Sequence, residues 1–451
     1  MRLSNWIKIY SKNNIQAIYH KLNMSLLFFP EGIIDKLINA DLAKLYEYIG
    51  NDATEYLLSE RVLVPESYDE SKELFNLRDE LVTNIRLKMM YLILTDTCNF
   101  KCRYCFEETP NYIPKDSKFM SDDTMIKAIN TFSALLDRYG KSSDKHIIQF
   151  YGGEPLLNKS VVINGMRYAT DMRKKGLLGE RCEITVVTNG LLVDDELAEV
   201  FLQSSATVGL SIDGPALINN IYRIPKNISA SEAYDKIIDN YFLMKRKGIK
   251  IGLSITLTPE CLEQIEYVTD FIINQLGITD GIGFNILYHT PNIPVTREYF
   301  EDAAEKLLLV FQKLRSAGIY EERIMRKVNS FSRRRQMYSD CGVNGSQIVI
   351  SPGGKYGVCQ DFIKPMSFFK GNIHDEKYDP YVNDLHKLWK YRSPFFIDEC
   401  KQCEAIAICG GGCPAGLYVK NEEIMKPDLR ICAHSKKTLE WMIWDTYNAM
   451  Q

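Results

Sequence analysis

Six short apolar runs between residues 90 and 287 constrain the fold of this chain more than any other feature of its sequence. Each run has the length of a β-strand, and longer segments with apolar residues at helical spacing separate the runs. The runs span residues 90–94, 146–151, 183–187, 207–212, 250–257 and 281–287. Strands that alternate with helices are typical of parallel sheets and barrels, whose active sites form in the loops after the strands. We therefore expect the chemistry of the chain to lie in those loops.

The loop after the first run carries three cysteines, Cys98, Cys102 and Cys105, with Tyr104 just before the last one. Thiolates are the ligands that hold iron–sulfur clusters, and three thiolates on a four-iron cubane leave one iron open to a small molecule. The alternative interpretations are a zinc site and buried structural thiols.

The loops after the next three runs also carry motifs. Gly152, Gly153 and Glu154 follow the second run, where the glycines would let backbone carbonyls approach a ligand's amino group closely and Pro155 would stiffen the turn. The third run leads into Thr-Asn-Gly at residues 188–190, and the fourth ends in Ser-Ile-Asp-Gly-Pro at residues 211–215. We expect all four motifs to meet at one end of the sheet.

Composition narrows the function classes further. With 55 basic and 58 acidic residues among 451, the net charge of −3 gives no electrostatic basis for binding nucleic acid or an anionic membrane. No run approaches the roughly 18 apolar residues of a membrane span, and residues 1–10 lack the apolar core of a signal peptide, which predicts a cytoplasmic protein. Twelve cysteines in such a chain favour metal binding over disulfides.

The cysteine spacing, the aromatic Tyr104 and the Gly-Gly-Glu-Pro turn together resemble the radical S-adenosylmethionine (radical SAM) enzymes. The resemblance implies a partial (β/α)6 TIM-like barrel, in which Cys98, Cys102 and Cys105 hold a [4Fe-4S] cluster. The open iron of that cluster would chelate the amino and carboxylate groups of SAM. The cofactor-binding residues that the resemblance implies are Gly152, Gly153, Glu154, Ser211, Arg223 and Leu287.

Two of these residues resemble those of the sulfatase-maturing and peptide-modifying branch, where a serine and an arginine twelve residues later contact the SAM ribose and carboxylate. Ser211 and Arg223 match that pair. In the same branch a backbone contact to adenine would fall at Leu287. The residue before the Gly-Gly-Glu-Pro turn is often glutamine in those enzymes, whereas this chain has Tyr151.

Seven ordered cysteines between residues 341 and 432 resemble the SPASM domain, the auxiliary-cluster domain of radical SAM peptide maturases. The resemblance implies two auxiliary [4Fe-4S] clusters, and thus three clusters in the chain. Its distal set is Cys400, Cys403, Cys409 and Cys432, and its proximal set is Cys341, Cys359 and Cys413. A double zinc-binding domain is the alternative.

Two departures from the family bear on the reaction. Some members have another cysteine a few residues before the first one, but residues 335–340 contain none, so either a ligand such as Asp340 completes the proximal cluster or one iron stays open. Sulfatase-maturing enzymes place an aspartate base directly after the cysteine that matches Cys359. Here Gln360 and then Asp361 follow, which makes these two the candidate catalytic residues and disfavours formylglycine formation.

Residues 1–85 read as three short strands followed by three helices. This pattern resembles the winged-helix-like precursor-peptide recognition element, which binds a leader peptide as an added strand against its third strand and beside its third helix. A cap that only packs on the enzyme is the alternative. We predict a recognition domain at 1–85, a radical SAM barrel at 86–310 and a SPASM domain at 311–451.

The predicted function is that of a radical SAM maturase that abstracts hydrogen from a ribosomally made precursor peptide and forms a cysteine thioether crosslink. SAM and three [4Fe-4S] clusters are its implied cofactors, and a flavodoxin or ferredoxin is its implied reductant. Carbon–carbon crosslinking and epimerisation are alternative outcomes of the same radical chemistry. A non-catalytic iron–sulfur electron-transfer protein is the alternative from a different class.

Overall fold

The structure, a computed structural model, describes residues 1–38, 41–105, 118–179, 181–288, 293–421 and 423–451. The strands are β1 (Arg2–Leu3), β2 (Ile7–Lys12), β3 (Ile15–His20), β4 (Leu26–Pro30), β5 (Leu63–Val64), β6 (Met89–Ile93), β7 (Ile147–Tyr151), β8 (Glu183–Thr188), β9 (Thr207–Ser211), β10 (Lys250–Leu257), β11 (Ile282–Ile286), β12 (Gln347–Ile350), β13 (Tyr356–Gly357) and β14 (Phe369–Lys370). The α-helices are α1 (Ile33–Ile38), α2 (Leu42–Ser59), α3 (Ser71–Thr83), α4 (Asp122–Tyr139), α5 (Lys159–Lys174), α6 (Asp195–Gln203), α7 (Ala216–Tyr222), α8 (Ala230–Arg246), α9 (Pro259–Glu263), α10 (Ile265–Asp270), α11 (Arg297–Ser316), α12 (Glu322–Ser332), α13 (Ile406–Cys409), α14 (Pro414–Asn421) and α15 (Leu429–Ala449).

The chain forms two compact units that interleave along the sequence. The first unit comprises Met1–Asn84, Ile324–Cys341 and Arg392–Gln451, and the second unit comprises Ile85–Arg323 and Gly342–Tyr391. The three predicted domains, in contrast, are consecutive. The ends of the chain thus belong to one unit, and the strand–helix repeats belong to the other.

The second unit is built on one sheet with the strand order β11-β10-β9-β8-β7-β6-β12-β13-β14. Neighbouring strands from β6 to β11 are parallel, and the six predicted runs match these strands with ends that shift by at most one residue. The predicted parallel α/β sheet is therefore confirmed. The sequence did not predict β12, a short buried strand that pairs in parallel with β6.

The two faces of this sheet differ in character. Buried residues alternate with half-buried ones along β7, β8, β9, β10 and β11, because successive side chains of a strand point to opposite faces. The buried face is apolar and includes Phe150, Val186 and Leu210. The half-buried face carries polar side chains, among them Gln149, Thr185, Ser211, Ser254 and Asn285.

The first unit contains the three predicted N-terminal strands as an antiparallel sheet in the order β2-β3-β4, with β4 at one edge. The predicted helices follow as α1 and α2, and α2 kinks at Gly50, whose φ of 80° is one that glycine adopts without strain. This kink separates the second predicted helix from the third.

The N-terminal strands share a hydrophobic core with the C-terminal part of the first unit. The buried residues of this core come from both ends of the chain and are Ala17, Tyr19, Met24, Ala405, Ala407, Ile408, Leu439, Met442, Ile443 and Trp444. The rings of Tyr19 and Phe331 stack with their centroids 6.1 Å apart. The N-terminal segment is therefore an integral part of this unit.

Among the described residues, no helix is both long and apolar enough to cross a membrane.

Candidate active site at the carboxyl ends of the parallel strands

The cysteine loop after β6 is held by backbone hydrogen bonds to the end of α7 and to the segment that follows it. The Lys101 N–H donates to the Ile224 carbonyl at 2.7 Å, and the Arg103 N–H donates to the Tyr222 carbonyl at 3.0 Å. All twelve cysteines of the chain are thiols rather than disulfides, and Cys98, Cys102 and Cys105 are half-buried. This pairing fixes the loop that presents the three thiols.

The two glycines of the Gly-Gly-Glu-Pro turn allow it to pack directly on the cysteine loop. The Gly153 N–H donates to the Thr95 carbonyl, and the Glu154 N–H donates to the Thr97 carbonyl, each at 2.9 Å. A Cβ atom at Gly152 would clash with the Thr95 carbonyl oxygen, and one at Gly153 would clash with the Thr97 carbonyl. The turn thus needs glycine for contact between two loops, while the ligand contact of these glycines stays a prediction.

Glu154 connects the loops after β7 and β8 through a carboxylate that is only 1% exposed. Its Oε1 accepts hydrogen bonds from Thr188 Oγ1 at 2.7 Å and from the Leu156 N–H at 3.1 Å, and its Oε2 accepts one from the Asn189 N–H at 2.8 Å. Burial raises the pKa of this carboxyl above its usual value. Both oxygens are engaged within the protein, so the structure gives Glu154 a loop-joining role beside its predicted cofactor role.

Asn189 extends this network to the cysteine loop. Its Nδ2 donates to Asn99 Oδ1 at 2.7 Å, while its Oδ1 accepts a hydrogen bond from the Leu191 N–H at 3.0 Å. The loops after β6, β7 and β8 are therefore joined through polar side chains. The motifs that these three loops carry lie together at one end of the sheet, as expected.

Tyr104 links the cysteine loop to the loop after β9. Its hydroxyl donates to Asp213 Oδ2 at 2.5 Å and accepts a hydrogen bond from Arg223 Nη1 at 3.0 Å. Asp213 is 1% exposed and also accepts a hydrogen bond from the Thr256 N–H at 2.9 Å. Burial raises the pKa of Asp213. Asp213 lies inside the motif that contains Ser211, but nothing in that motif marked it as a site residue.

Arg223 lies against the cysteine loop and is 6% exposed. Its guanidinium sits 5.8 Å from the centroid of the Phe100 ring. Burial opposes its charge, but Tyr104, Cys102 and Asp213 together hold its pKa well above the usual value. Its Nε has no hydrogen-bond partner among the described residues, which leaves a buried donor for a ligand acceptor beside the three thiols.

The remaining two predicted SAM contacts lie at the ends of other strands. Ser211 ends β9 on the half-buried face, opposite Ser254 of β10. Leu287 follows β11, is buried, and donates its N–H to the Tyr299 hydroxyl at 3.2 Å. Tyr222, Leu287 and Ile293 form a small apolar cluster against which Tyr104 packs, so Leu287 lies at the same end of the sheet as the cysteine loop.

The four cysteines predicted to hold the distal cluster lie together in the first unit. Burial raises the pKa of Cys400 to about 12, and Cys409 and Cys403 add to that rise. Burial likewise raises the pKa of Cys403 to about 11, with a contribution from Cys409. The pKa of Cys432 is raised by burial and by Cys409, Cys400 and Cys403. The four thiols are thus within electrostatic reach of one another.

The predicted proximal ligands divide between the units, with Cys341 and Cys413 in the first unit and Cys359 in the second. Asp340, the candidate non-cysteine ligand, has its Oδ1 3.1 Å from Arg326 Nη2, so its carboxylate is part of an ion pair. Gln360 and Asp361 begin a 3-10 turn directly after Cys359 and are half-buried.

The donor chemistry of these thiols fits iron–sulfur clusters. The predicted sets consist of sulfur ligands, and the Phe100 N–H donates to Cys98 Sγ at 3.4 Å, a bond of the kind that tunes such clusters. Within the described parts of the chain, no group of three or more His, Cys, Asp or Glu side chains is placed to hold a single metal ion. In a cubane, each cysteine ligand binds a different iron rather than one shared ion.

Comparison with known proteins identifies the chemistry. Residues 92–272 match the sequence model of the family described as the radical SAM superfamily. The matched region includes the cysteine loop and the strands from β7 to β10. The chain is a radical SAM enzyme. It is similar to the radical SAM cyclopropyl synthase TigE of Paramaledivibacter caminithermalis, with 24% identity over 377 residues that cover 78% of this chain and 73% of TigE.

Two solved structures share the fold of this radical SAM enzyme. Native anSMEcpe with bound AdoMet and Cp18Cys peptide superposes with a TM-score of 0.64 and 18% identity, over 81% of this chain and 99% of anSMEcpe. Streptococcus suis SuiB bound to precursor peptide SuiA superposes with a TM-score of 0.57 and 16% identity, over 96% of this chain and 99% of SuiB. These two likenesses show the fold. Together with the matched radical SAM model and the similarity to TigE, they relate the enzyme to peptide-modifying and sulfatase-maturing radical SAM enzymes.

Proposed function

We propose that this radical SAM enzyme modifies a ribosomally made precursor peptide whose leader binds along β4. The observation that carries the proposal is a groove of about 710 Å³ in the first unit, beside the edge strand β4. Its lining is mostly apolar and consists of Met24, Leu26, Leu27, Phe28, Phe29, Ala53, Tyr56, Phe331, Ser332, Arg334, Thr446 and Met450.

A peptide strand suits this groove for two reasons. The outer edge of β4 offers main-chain groups to an added strand, and the apolar lining offers pockets for alternate side chains of that strand. Arg334 also lines the groove. Its Nη1 donates to Glu60 Oε1 at 2.8 Å, and its Nη2 donates to the Tyr56 hydroxyl at 2.6 Å. The structural neighbours that were solved with a peptide, SuiB and anSMEcpe, support a peptide substrate.

The chain's own residues provide the rest of the site. Cys98, Cys102 and Cys105 would hold the SAM-binding cluster, and Arg223 would pair its planar fork with the SAM carboxylate. When bound, the cluster and SAM would supply the radical chemistry that removes hydrogen from a substrate carbon. The polar half-buried face of the sheet, with Gln149 and Ser254, would orient the substrate in the partial barrel.

We further propose that the enzyme is cytoplasmic and that a flavodoxin or ferredoxin reduces it.

For the product we propose a thioether between a substrate cysteine and the carbon that lost hydrogen. Three cysteines without a fourth thiol would leave the proximal SPASM cluster one position for a substrate thiolate. The ion pair of Asp340 with Arg326 supports this, because it engages the side chain that could otherwise fill the position. The replacement of the sulfatase-maturing aspartate by Gln360 supports a reaction other than formylglycine formation.

Carbon–carbon bond formation is the second candidate, and the similarity to the cyclopropyl synthase TigE favours it. Epimerisation would need only the hydrogen abstraction and its return. Both candidates use the same SAM site, so they differ from the thioether only in how the substrate radical is consumed.

Mass spectrometry of the product distinguishes these reactions. The enzyme is incubated without oxygen with a cysteine-containing precursor, SAM and a reductant, and the product is then treated with an alkylating reagent. A thioether predicts the loss of two hydrogens and one alkylatable thiol per crosslink. A two-hydrogen loss with every thiol still alkylated would establish the carbon–carbon product instead, and an unchanged mass with an inverted stereocentre would establish epimerisation. A preparation that forms no 5′-deoxyadenosine would contradict all three.

A further inference from the structure

Arg392 is a buried cation whose hydrogen-bonding capacity is only partly used. Its side chain is 1% exposed, and its Nη2 donates to the Gly411 carbonyl at 2.7 Å and to the Lys426 carbonyl at 3.0 Å. Its Nε and Nη1 have no hydrogen-bond partner among the described residues. A buried charge and buried donors without acceptors destabilise a protein unless a group of opposite charge compensates them.

The loop between two predicted cluster ligands is shaped around this guanidinium. Gly411 lies between Cys409 and Cys413 with a φ of 83°, and a Cβ atom at this position would lie 2.6 Å from Arg392 Nη1. Glycine here therefore provides both the backbone conformation and the space that Arg392 occupies.

The charges that act on Arg392 come from one aspartate and from cysteine thiols. The electrostatic neighbours of its guanidinium are Asp428 and the thiols of Cys409, Cys341 and Cys400. Asp428 is already paired with Arg430, whose Nη2 and Nε lie 2.6 Å and 3.0 Å from its carboxylate oxygens. Three of the four neighbours are thus cysteines, and the aspartate is neutralised by another arginine.

We propose that Arg392 is the charge partner of the auxiliary cluster at Cys400, Cys403, Cys409 and Cys432, and that its unpartnered N–H groups donate to the sulfurs of that cluster. This inference rests on the proposed function, since it requires iron–sulfur clusters at these cysteines. Thiolate-ligated clusters carry negative charge that grows on reduction, so a fixed cation beside them raises the reduction potential. Arg392 is therefore a positioning and tuning residue, which acts on the substrate only through the cluster.

The test measures the reduction potential of the auxiliary clusters. Full-length protein with Cys98, Cys102 and Cys105 all changed to Ala is reconstituted without oxygen, so that only auxiliary clusters titrate, and electron paramagnetic resonance follows the redox titration. Arg392→Gln should make the midpoint potential of one auxiliary cluster more negative. Arg392→Lys, which keeps the charge but loses the planar fork, should give a smaller shift in the same direction. Arg78→Gln is the control, because Arg78 is another arginine of the first unit, is half-buried, and donates its Nε to the Phe395 carbonyl.

The outcomes separate this inference from the function on which it rests. An unchanged potential in Arg392→Gln with full iron and sulfide would overturn the role of Arg392, as would an equal shift in Arg78→Gln. If Arg392→Gln fails to load its clusters, the Arg392→Lys titration decides, and a potential equal to that of the parent protein would overturn the proposal. The absence of auxiliary iron and sulfide from the parent protein would instead contradict the proposed clusters themselves.

Discussion

At the scale of single residues, the active site is a set of buried polar side chains that join the loops which carry the ligands. Glu154, Asn189 and Tyr104 each make hydrogen bonds between two loops, and Glu154 and Asn189 are almost completely buried. Buried hydrogen bonds of this kind are costly to break, since the partner that remains is left without water. The position of the cysteine loop therefore depends on residues that do not themselves bind metal.

We predict that Tyr104→Phe weakens SAM binding by roughly 5- to 150-fold. The substitution removes the hydroxyl that holds Arg223 and Asp213, and an unsatisfied buried partner costs about 1–3 kcal/mol. Isothermal titration of SAM against anaerobically reconstituted enzyme measures the effect. Tyr222→Phe is the matched control, because Tyr222 is also mostly buried and its hydroxyl donates to Glu260 instead. Equal SAM affinity in Tyr104→Phe and the wild type would show that the hydroxyl does not position Arg223.

At the scale of elements, the groove beside β4 is formed by helices from distant parts of the chain. Ala53 and Tyr56 come from α2, Phe331 comes from α12, and Thr446 comes from α15. The leader-binding surface that we propose thus extends beyond the N-terminal strands. Because the lining is continuous across these helices, a single bulky substitution on one of them can obstruct the groove.

We predict that Ala53→Arg weakens leader-peptide binding by at least about tenfold, or ~1.4 kcal/mol, because the long side chain fills the groove. Ala53 is half-buried in a helix, where arginine has nearly the helix propensity of alanine. Fluorescence anisotropy with a labelled leader measures the affinity, and SAM cleavage without peptide should stay at the wild-type rate. Asn51→Arg, which adds the same charge at an exposed position outside the lining, should bind the leader normally. Tight binding by Ala53→Arg would place the leader elsewhere.

At the scale of the whole molecule, the sequence was most informative where the pattern is local. The six parallel strands were predictable because each combines a short apolar run with a helical segment, and the cysteine sets were predictable from their spacing. Arg392 gave no such signal, since a lone polar residue looks the same on a surface as in a buried network. The motifs at residues 188–190 and 211–215 likewise did not indicate which partners Asn189 and Asp213 would bind. The addition of β12 to the sheet and the shared core of the two chain ends depend on contacts between residues far apart in sequence.

The shared core leads to a prediction about metal content. Deletion of residues 1–84 would remove Ala17, Tyr19 and Met24 from the core that contains Ala407, Ile408 and Trp444, and would expose the elements that carry Cys403 and Cys409. Burial of large apolar side chains contributes about 1.5–3 kcal/mol each, so the loss exceeds what a marginally stable unit tolerates.

We therefore expect the truncated protein to bind about eight fewer irons than the full chain, which should bind about twelve in three clusters, because the first unit carries Cys341 and Cys413 of the proximal set as well as the whole distal set. The cysteine loop after β6 lies in the second unit, so the SAM-binding cluster should persist in the truncated protein. Iron and labile-sulfide analysis after anaerobic reconstitution makes the comparison, and the variant with alanine at Cys98, Cys102 and Cys105 should lose the complementary four irons. If the truncated protein kept its full complement of about twelve, the N-terminal segment would be a separable module, as the sequence alone suggested, and the shared core would be unnecessary for the clusters.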